Sequence, residues 1–306
     1  MWLAVGAFAA WALFRFFGLE RGYPLVPMIA FTPYVAAGSV VPLLLALALH
    51  RWAAAGAAAV LVCVFALMLV PRAIGGGGAE VADPVSVGIV TANMKLGLGD
   101  VGALADLVEE KDAEFLSVQE LTPELARTLR SELGSMLPHR VYAALPGSAG
   151  SGLYSELAPK GASKAQLPGG FPMPRAFFEF DAGPRIEIFD VHTLPPTSQQ
   201  TATWDDDLRA LPPASDETLR ILAGDFNSTL DHAELRELVS QGYADAADAR
   251  GSGLTPTWPE DRDTLPALFA IDHVLADERI GFGDVSIHTI PDSDHRAVFA
   301  ELLLPR

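Results

Sequence analysis

Charge is nearly missing from the first part of this chain and abundant in the rest, and that division constrains the fold more than any motif. Before Gly78 the only formally charged side chains are Arg15, Glu20, Arg21, Arg51 and Arg72. Three apolar stretches fill the region: Trp2–Leu19, interrupted only by Arg15, then the uncharged Phe31–Leu49 and Trp52–Val70. Each is about as long as a helix needs to cross roughly 30 Å of hydrocarbon, which predicts three transmembrane helices in residues 1–72. Arg15, Arg21, His50, Arg51 and Arg72 fall at the ends, where long side chains reach headgroups. Pro24, Pro27 and Pro33 suit a helix start or a broken entry to the second span. A signal peptide accounts for one apolar run and not for three. Residues 73–84, with Gly75–Gly78, read as a flexible linker. The basic residues are nearly balanced between the loops and set no orientation by themselves.

The formal net charge of −17 arises entirely after Gly78. Such an acidic domain lacks the Lys and Arg needed to neutralise a nucleic-acid backbone. It can bind a phosphorylated ligand only where a metal or a local set of donors reverses the sign. The single cysteine, Cys63, lies in an apolar run, so intrachain disulfides and thiolate metal sites are excluded.

Within residues 85–306 the periodicity alternates between strand and helix. Val85–Ala92 is rich in β-branched residues and reads as a buried strand, and Val101–Glu110 carries an apolar helical face. Glu114–Val118 is the next strand, followed by a helix from Pro123 to Leu133 with Thr122 as N-cap. Further strands are expected at Arg185–Val191, Arg220–Ala223, Ala270–Leu275 and Ala297–Leu304, and a helix at Asp231–Ser240. There is no solenoid repeat, and the pattern is that of an α/β domain with mixed sheets covered by helices.

Polar residues collect at the ends of these strands: Asn93, Gln119-Glu120, His192, Gly224-Asp225-Phe226-Asn227 and Ser293-Asp294-His295, while Asp272-His273 sits inside an apolar strand. Any one of them has a plain explanation as a turn residue. Together they present carboxylates, amides and imidazoles at six strand termini, where an α/β sandwich binds its ligands. Hard oxygen donors of this kind suit Mg²⁺ or Mn²⁺ beside a phosphate. His273 and His288 read as structural, His232 as a residue near a helix cap, and Trp258 as a packing anchor under the site.

The series Asn93, QE, VH (Val191-His192), GDFN, IDHV (Ile271–Val274) and SDH resembles the endonuclease/exonuclease/phosphatase superfamily, in family order across nearly all of residues 85–306. Within it, the apolar N-terminus resembles the membrane-bound group that includes vancomycin-resistance-type proteins. The resemblance implies a four-layer sandwich, two mixed β-sheets flanked by helices. It implies metal binding by Glu120 with Asn93, and a second or alternative metal position at Asp294. Asp225 would orient or deprotonate the attacking water, and Asn227 would hold it and a phosphoryl oxygen. His295, oriented by Asp272, and His192 would contact the phosphoryl or leaving-group oxygens. Either Asp225 or His295 could be the base. Glu156 stands where relatives carry Arg in a G-L-x-S-R stretch, and Ala270 stands where many carry Arg; both substitutions remove positive charge from the expected cleft.

The expectation is therefore a multi-pass membrane protein whose extracytoplasmic domain is a Mg²⁺- or Mn²⁺-dependent phosphoester hydrolase. Its partners would be the bilayer and a phosphorylated lipid or other small phosphoester. A tethered nuclease is the alternative, and a catalytically dead scaffold would require losses among the site residues that the sequence does not show.

Overall fold

The computed structural model describes residues 1–180, 183–260 and 266–306. Five helices come first: α1 (Trp2–Phe17), α2 (Leu25–Ile29), α3 (Thr32–Gly38), α4 (Val40–Ala48) and α5 (Trp52–Ile74). The sandwich then runs β1 (Val85–Asn93), α6 (Val101–Glu110), β2 (Phe115–Gln119), α7 (Pro123–Glu132), β3 (His139–Ala143), β4 (Ser151–Ser155), β5 (Gly161–Gln166), β6 (Pro172–Glu179) and β7 (Arg185–His192). It finishes with α8 (Thr201–Ala210), β8 (Leu219–Asp225), α9 (Ala233–Ser240), β9 (Tyr243–Asp245), α10 (Ala246–Ala249), β10 (Asp272–Asp277), β11 (Gly281–Thr289) and β12 (Arg296–Leu304).

Two six-stranded mixed sheets face each other, ordered β11-β12-β1-β2-β4-β3 and β5-β6-β7-β8-β10-β9. The two-residue alternation of a strand sends neighbouring side chains to opposite faces. In β1, Val87 and Ile89 enter the core between the sheets and meet Phe178, Ile188 and Ile221 of the second sheet. Val90 and Ala92 point the other way, onto Leu104 and Leu107 of α6 and Leu125 and Leu129 of α7. The outer face of the second sheet is covered in the same manner: Phe189, Val191 and Leu222 pack under Trp204 of α8 and Leu235 of α9. Four layers result, as the family resemblance implied. Asp100 and Thr122 cap α6 and α7, accepting from the Ala103 and Leu125 amides.

The N-terminal region departs from expectation. Among the described residues only α5, 23 residues long with a mean hydropathy of 2.6 over its most apolar 18-residue stretch, is long and apolar enough to cross a membrane; Trp2–Phe17 and Thr32–Ala48 are shorter. A 16-residue helix rises only about 24 Å. Gly18, in the left-handed conformation at φ 59°, stops α1 before Leu19. Three full-length spans are thus replaced by one long helix with two shorter apolar helices against it.

Two expected headgroup anchors are also reassigned. Arg15 and Arg72 turn onto the sandwich, where Nε of Arg15 (3.1 Å) and Nη1 of Arg72 (3.0 Å) meet the two carboxylate oxygens of buried Asp231. The Glu20 carboxylate accepts from the Ala233 amide, at the start of α9, and the Tyr34 hydroxyl donates to the Leu268 carbonyl. Gly75–Gly78 is not a free tether either. The Gly76 amide donates to the Ala249 carbonyl, and a Cβ on Gly75 would lie 2.6 Å from the Gly251 nitrogen. Gly75 thus serves close backbone approach, whereas a Cβ on Gly76 would meet nothing within 4 Å.

Removing one member of a buried charge cluster strands the others without compensation. Asp231→Ala is therefore expected to destabilise the full chain by about 3–5 kcal/mol, read as a lower midpoint in denaturant-induced unfolding followed by tryptophan fluorescence. An unchanged midpoint would mean that the two guanidinium groups are solvated and the docking is weak.

Candidate active site

The parallel pairs β1/β2 and β7/β8 end at one edge of the sandwich. Strands β10 and β12 run antiparallel to their neighbours, so it is their beginnings that reach the same edge. This explains why residues at strand ends (Asn93, Glu120, His192, Asp225) meet residues at strand starts (Asp272, His295). The pairings of Asn93 with Gln119, His192 with Asp225 and Asp272 with Asp225 place them side by side. Asp272 begins β10 and is not interior to it.

Asp225 sits at the centre. One of its carboxylate oxygens accepts from the Asn227 amide at 2.8 Å and the other from Asn93 Nδ2 at 3.0 Å. The second oxygen also lies 3.7 Å from His192 Nε2 and 3.8 Å from His295 Nε2. His295 Nδ1 faces both Asp272 oxygens, at 3.0 and 3.2 Å. Asn93 Nδ2 also reaches Glu120 Oε1 at 3.4 Å, and the other Glu120 oxygen accepts from the Leu96 amide. Asn227 Nδ2 donates to the Thr193 carbonyl at 2.9 Å, which orients its amide. Seven of the eight residues singled out by sequence are thus tied into one hydrogen-bonded and charged cluster. Asp294 is half-buried at its rim, close enough to Glu120 and His295 to affect their charge.

Local backbone geometry supports this arrangement. Glu120 and Asn227 adopt left-handed conformations at φ 57° and 46°, uncommon for residues with side chains and often found at functional sites. At Gly224 a Cβ would fall 1.8 Å from the Val191 carbonyl oxygen, so the GDFN glycine lets β8 approach β7 and deliver Asp225.

Burial disfavours charge on His295, but the carboxylates of Asp272 and Asp225 outweigh it and push the imidazole up to about 10. Burial raises Asp225, against the pull of the His295 cation. His192 is pushed down to about 3 by burial and then by His295, and is neutral. Burial also raises Glu120, helped by the nearby Asp294. Four carboxylates, Glu120, Asp225, Asp272 and Asp294, thus face one imidazolium, and among the described residues none of them pairs with a Lys or Arg.

A hard divalent cation fits that donor set. Ligand atoms of Asp225, Asp272 and His295 lie within 4.8 Å of one another, but Asp272 and His295 already share a hydrogen bond. Glu120 and Asn93 adjoin this cluster through the Asn93 side-chain amide, and Asp294 lies at its rim.

Several sequence readings change or sharpen. Glu156 follows β4, whose far end pairs with Phe115, the beginning of β2. It therefore lies at the opposite edge and removes no charge from the cleft. His273 is structural, bonded to Asp245 Oδ2 (2.7 Å) and the Ser228 carbonyl (2.9 Å). Trp258 stacks on Phe269 and lies 6.3 Å, ring to ring, from His295. Asp190 escaped notice: fully buried, it accepts from Ser117 Oγ and Gln119 Nε2 at 2.9 and 2.7 Å. Burial raises its carboxyl to about 8, so it holds the strand before Glu120 as a neutral acid. Its only signal was one charged letter in the apolar run before His192.

Fold and site together are those of a metal-dependent phosphoester hydrolase. The model of the endonuclease/exonuclease/phosphatase family matches residues 90–295, and the chain belongs to that family, whose members are nucleases and phosphatases. No curated protein matches the sequence. Among solved structures, TDP2 of D. rerio complexed with single strand DNA product aligns with a TM-score of 0.59 at 15% identity, covering 71% of this chain and 98% of that one. A family protein of Leptotrichia buccalis gives 0.55 at 15%, covering 71% and 99%. One from Bacteroides thetaiotaomicron gives 0.55 at 16%, covering 74% and 100%. At these identities the likeness is one of fold.

Proposed function

We propose that this protein is a membrane-anchored phosphoester hydrolase that cleaves an amphiphilic, lipid-type substrate by attack of water on phosphorus. One observation carries the choice of substrate. Outside Met1–Ile74 the exposed large apolar side chains among the described residues are Leu96, Leu98 and Leu145; Leu96 and Leu145 lie beside Glu120 and its neighbour, and Leu98 is two residues from Leu96. The Leu96 amide bonds the Glu120 carboxylate, and the Leu145 amide bonds the carbonyl of the next residue, Leu121. An apolar lip around a metal-type carboxylate suits a substrate with a hydrocarbon part.

Glu120, Asn93 and Asp294 would hold Mg²⁺ or Mn²⁺, which when bound supplies Lewis-acid polarisation of a phosphoryl oxygen. Asp225, raised by burial and fixed by two donors, takes a proton from the attacking water, with the Asn227 amide holding that water and a phosphoryl oxygen. The His295 imidazolium, oriented by Asp272, offers Nε2–H to the phosphoryl group as charge grows there. Neutral His192 donates to a phosphoryl or leaving-group oxygen.

A nuclease is the second reading, because a fold neighbour is a DNA-bound enzyme; it requires a basic path to the site. The deciding assay offers the full chain a phospholipid panel, a polyprenyl pyrophosphate and single-stranded and duplex DNA with Mg²⁺, Mn²⁺ or Ca²⁺. Phosphate or headgroup release from a lipid supports the proposal, and cleavage of DNA alone replaces it.

Arg72, near the end of α5, meets Asp231 of the sandwich, so if α5 crosses the bilayer the sandwich and Trp52 belong on opposite faces. By resemblance to the membrane-bound group, the sandwich is expected outside. Protease added to intact spheroplasts should degrade it, whereas digestion only after lysis would place it in the cytoplasm.

A further inference from the structure

A cavity of about 210 Å³ is lined jointly by the N-terminal helices and the sandwich. Pro27 and Ala30 form one wall; Pro196, Trp258 and Phe269 form the other; Asn227 lies at the end toward the catalytic residues. We propose that this cavity binds the first carbons of the substrate's aliphatic chain, a reading that rests on the lipid-type phosphoesterase assignment above. The N-terminal segment is then part of the substrate site and more than an anchor.

The walls and surroundings favour a hydrocarbon. His232, also on the wall, accepts the Thr229 amide at Nδ1, and burial pushes it down to about 4, so it adds no charge. Met28, Phe31 and Tyr34, beside Pro27 and Ala30 in the chain, expose apolar surface. At the inner end Asn227 touches both the cavity and Asp225, so a chain held here reaches the reacting phosphorus without crossing water. A nucleobase could stack on Trp258, but among the described residues that line this wall none carries a positive charge to neutralise the phosphates on either side of it.

The test uses the full chain in phosphatidylcholine nanodiscs with Mg²⁺ and a series of 4-nitrophenyl alkyl phosphates from methyl to octyl, kept monomeric. For wild type, kcat/KM should climb by up to about fourfold per methylene while carbons enter the slot, then level off. Ala30→Trp, which fills the cavity, should flatten the climb and leave the methyl ester within about twofold of wild type. Thr197→Trp, at the exposed rim, should flatten it in the same way and covers the case in which Ala30→Trp fails to fold. Comparing each variant with wild type cancels partitioning of the longer esters into the disc. A climb that survives in a folded variant, or a loss equal for methyl and octyl, overturns the chain site and leaves the phosphoesterase reading standing. If wild type cleaves none of the esters and cleaves DNA, the underlying reading is overturned and the chain site falls with it.

Discussion

Glu120→Gln is expected to lower turnover by about 10³-fold or more, because the role proposed for the carboxylate is that of main hard ligand to an ion that would contribute several kcal/mol of transition-state stabilisation. Two further signs follow from its surroundings. Burial and Asp294 already oppose ionisation of Glu120, so without metal the glutamine variant should be at least as stable as wild type. With Mg²⁺ in excess, only wild type should be stabilised, by about 2.7 kcal/mol at a hundred times the dissociation constant. Thermal unfolding with and without Mg²⁺, beside steady-state rates, separates these effects. An active Glu120→Gln, or a wild type indifferent to EDTA, would remove Glu120 from the metal site.

Asp272→Asn and His295→Ala should each lower turnover by about 10²- to 10⁴-fold, and the double variant should be little worse than the more damaging single one. The two Asp272 oxygens face His295 Nδ1 at 3.0 and 3.2 Å, which fixes the ring and favours its protonated form. Without Asp272 the imidazole loses the carboxylate that most favours its protonated form, and without His295 the carboxylate has nothing to orient. Residues that act as one unit give non-additive losses. Asp272 is also anchored through its amide to Thr257 Oγ1 at 3.2 Å, so the isosteric asparagine is the safer probe of chemistry. Circular dichroism would check the fold of all three variants. Single effects that multiply in a folded double variant would separate the pair and leave Asp272 a packing residue.

The strands that carry the site were legible because each is a short apolar run with a polar residue at its boundary; β1, β2, β7, β8, β10 and β12 all follow that pattern. The elements that escaped carry little local signal. Strand β5 is an exposed edge strand with one face in water. Helix α8, TATWDDDLRA, buries only Thr201, Trp204, Asp207 and Leu208, and the Asp207 carboxylate is spent on the Gly169 and Leu194 amides. Strand β4 is buried throughout, yet its SGLYS has no alternation to reveal it.

Composition and periodicity alone separate an apolar N-terminal region from an acidic α/β domain, and they place Asn93, Glu120, His192, Asp225 and His295 at strand boundaries, since those properties are local; Asp272 read as interior to its strand, and the structure puts it at the start. Strand direction and partner are not local. They follow from contacts between distant segments, and they decide that the starts of β10 and β12 share an edge with the ends of β1 and β7 while Glu156 goes to the other side. The same holds for charge. Arg15 and Arg72 have the spacing of membrane anchors along the chain, but burial of Asp231 between them makes a shared carboxylate the more favourable partner once the helices have docked. That docking also brings together the walls of the cavity beside Asn227, which come from residues well over a hundred positions apart.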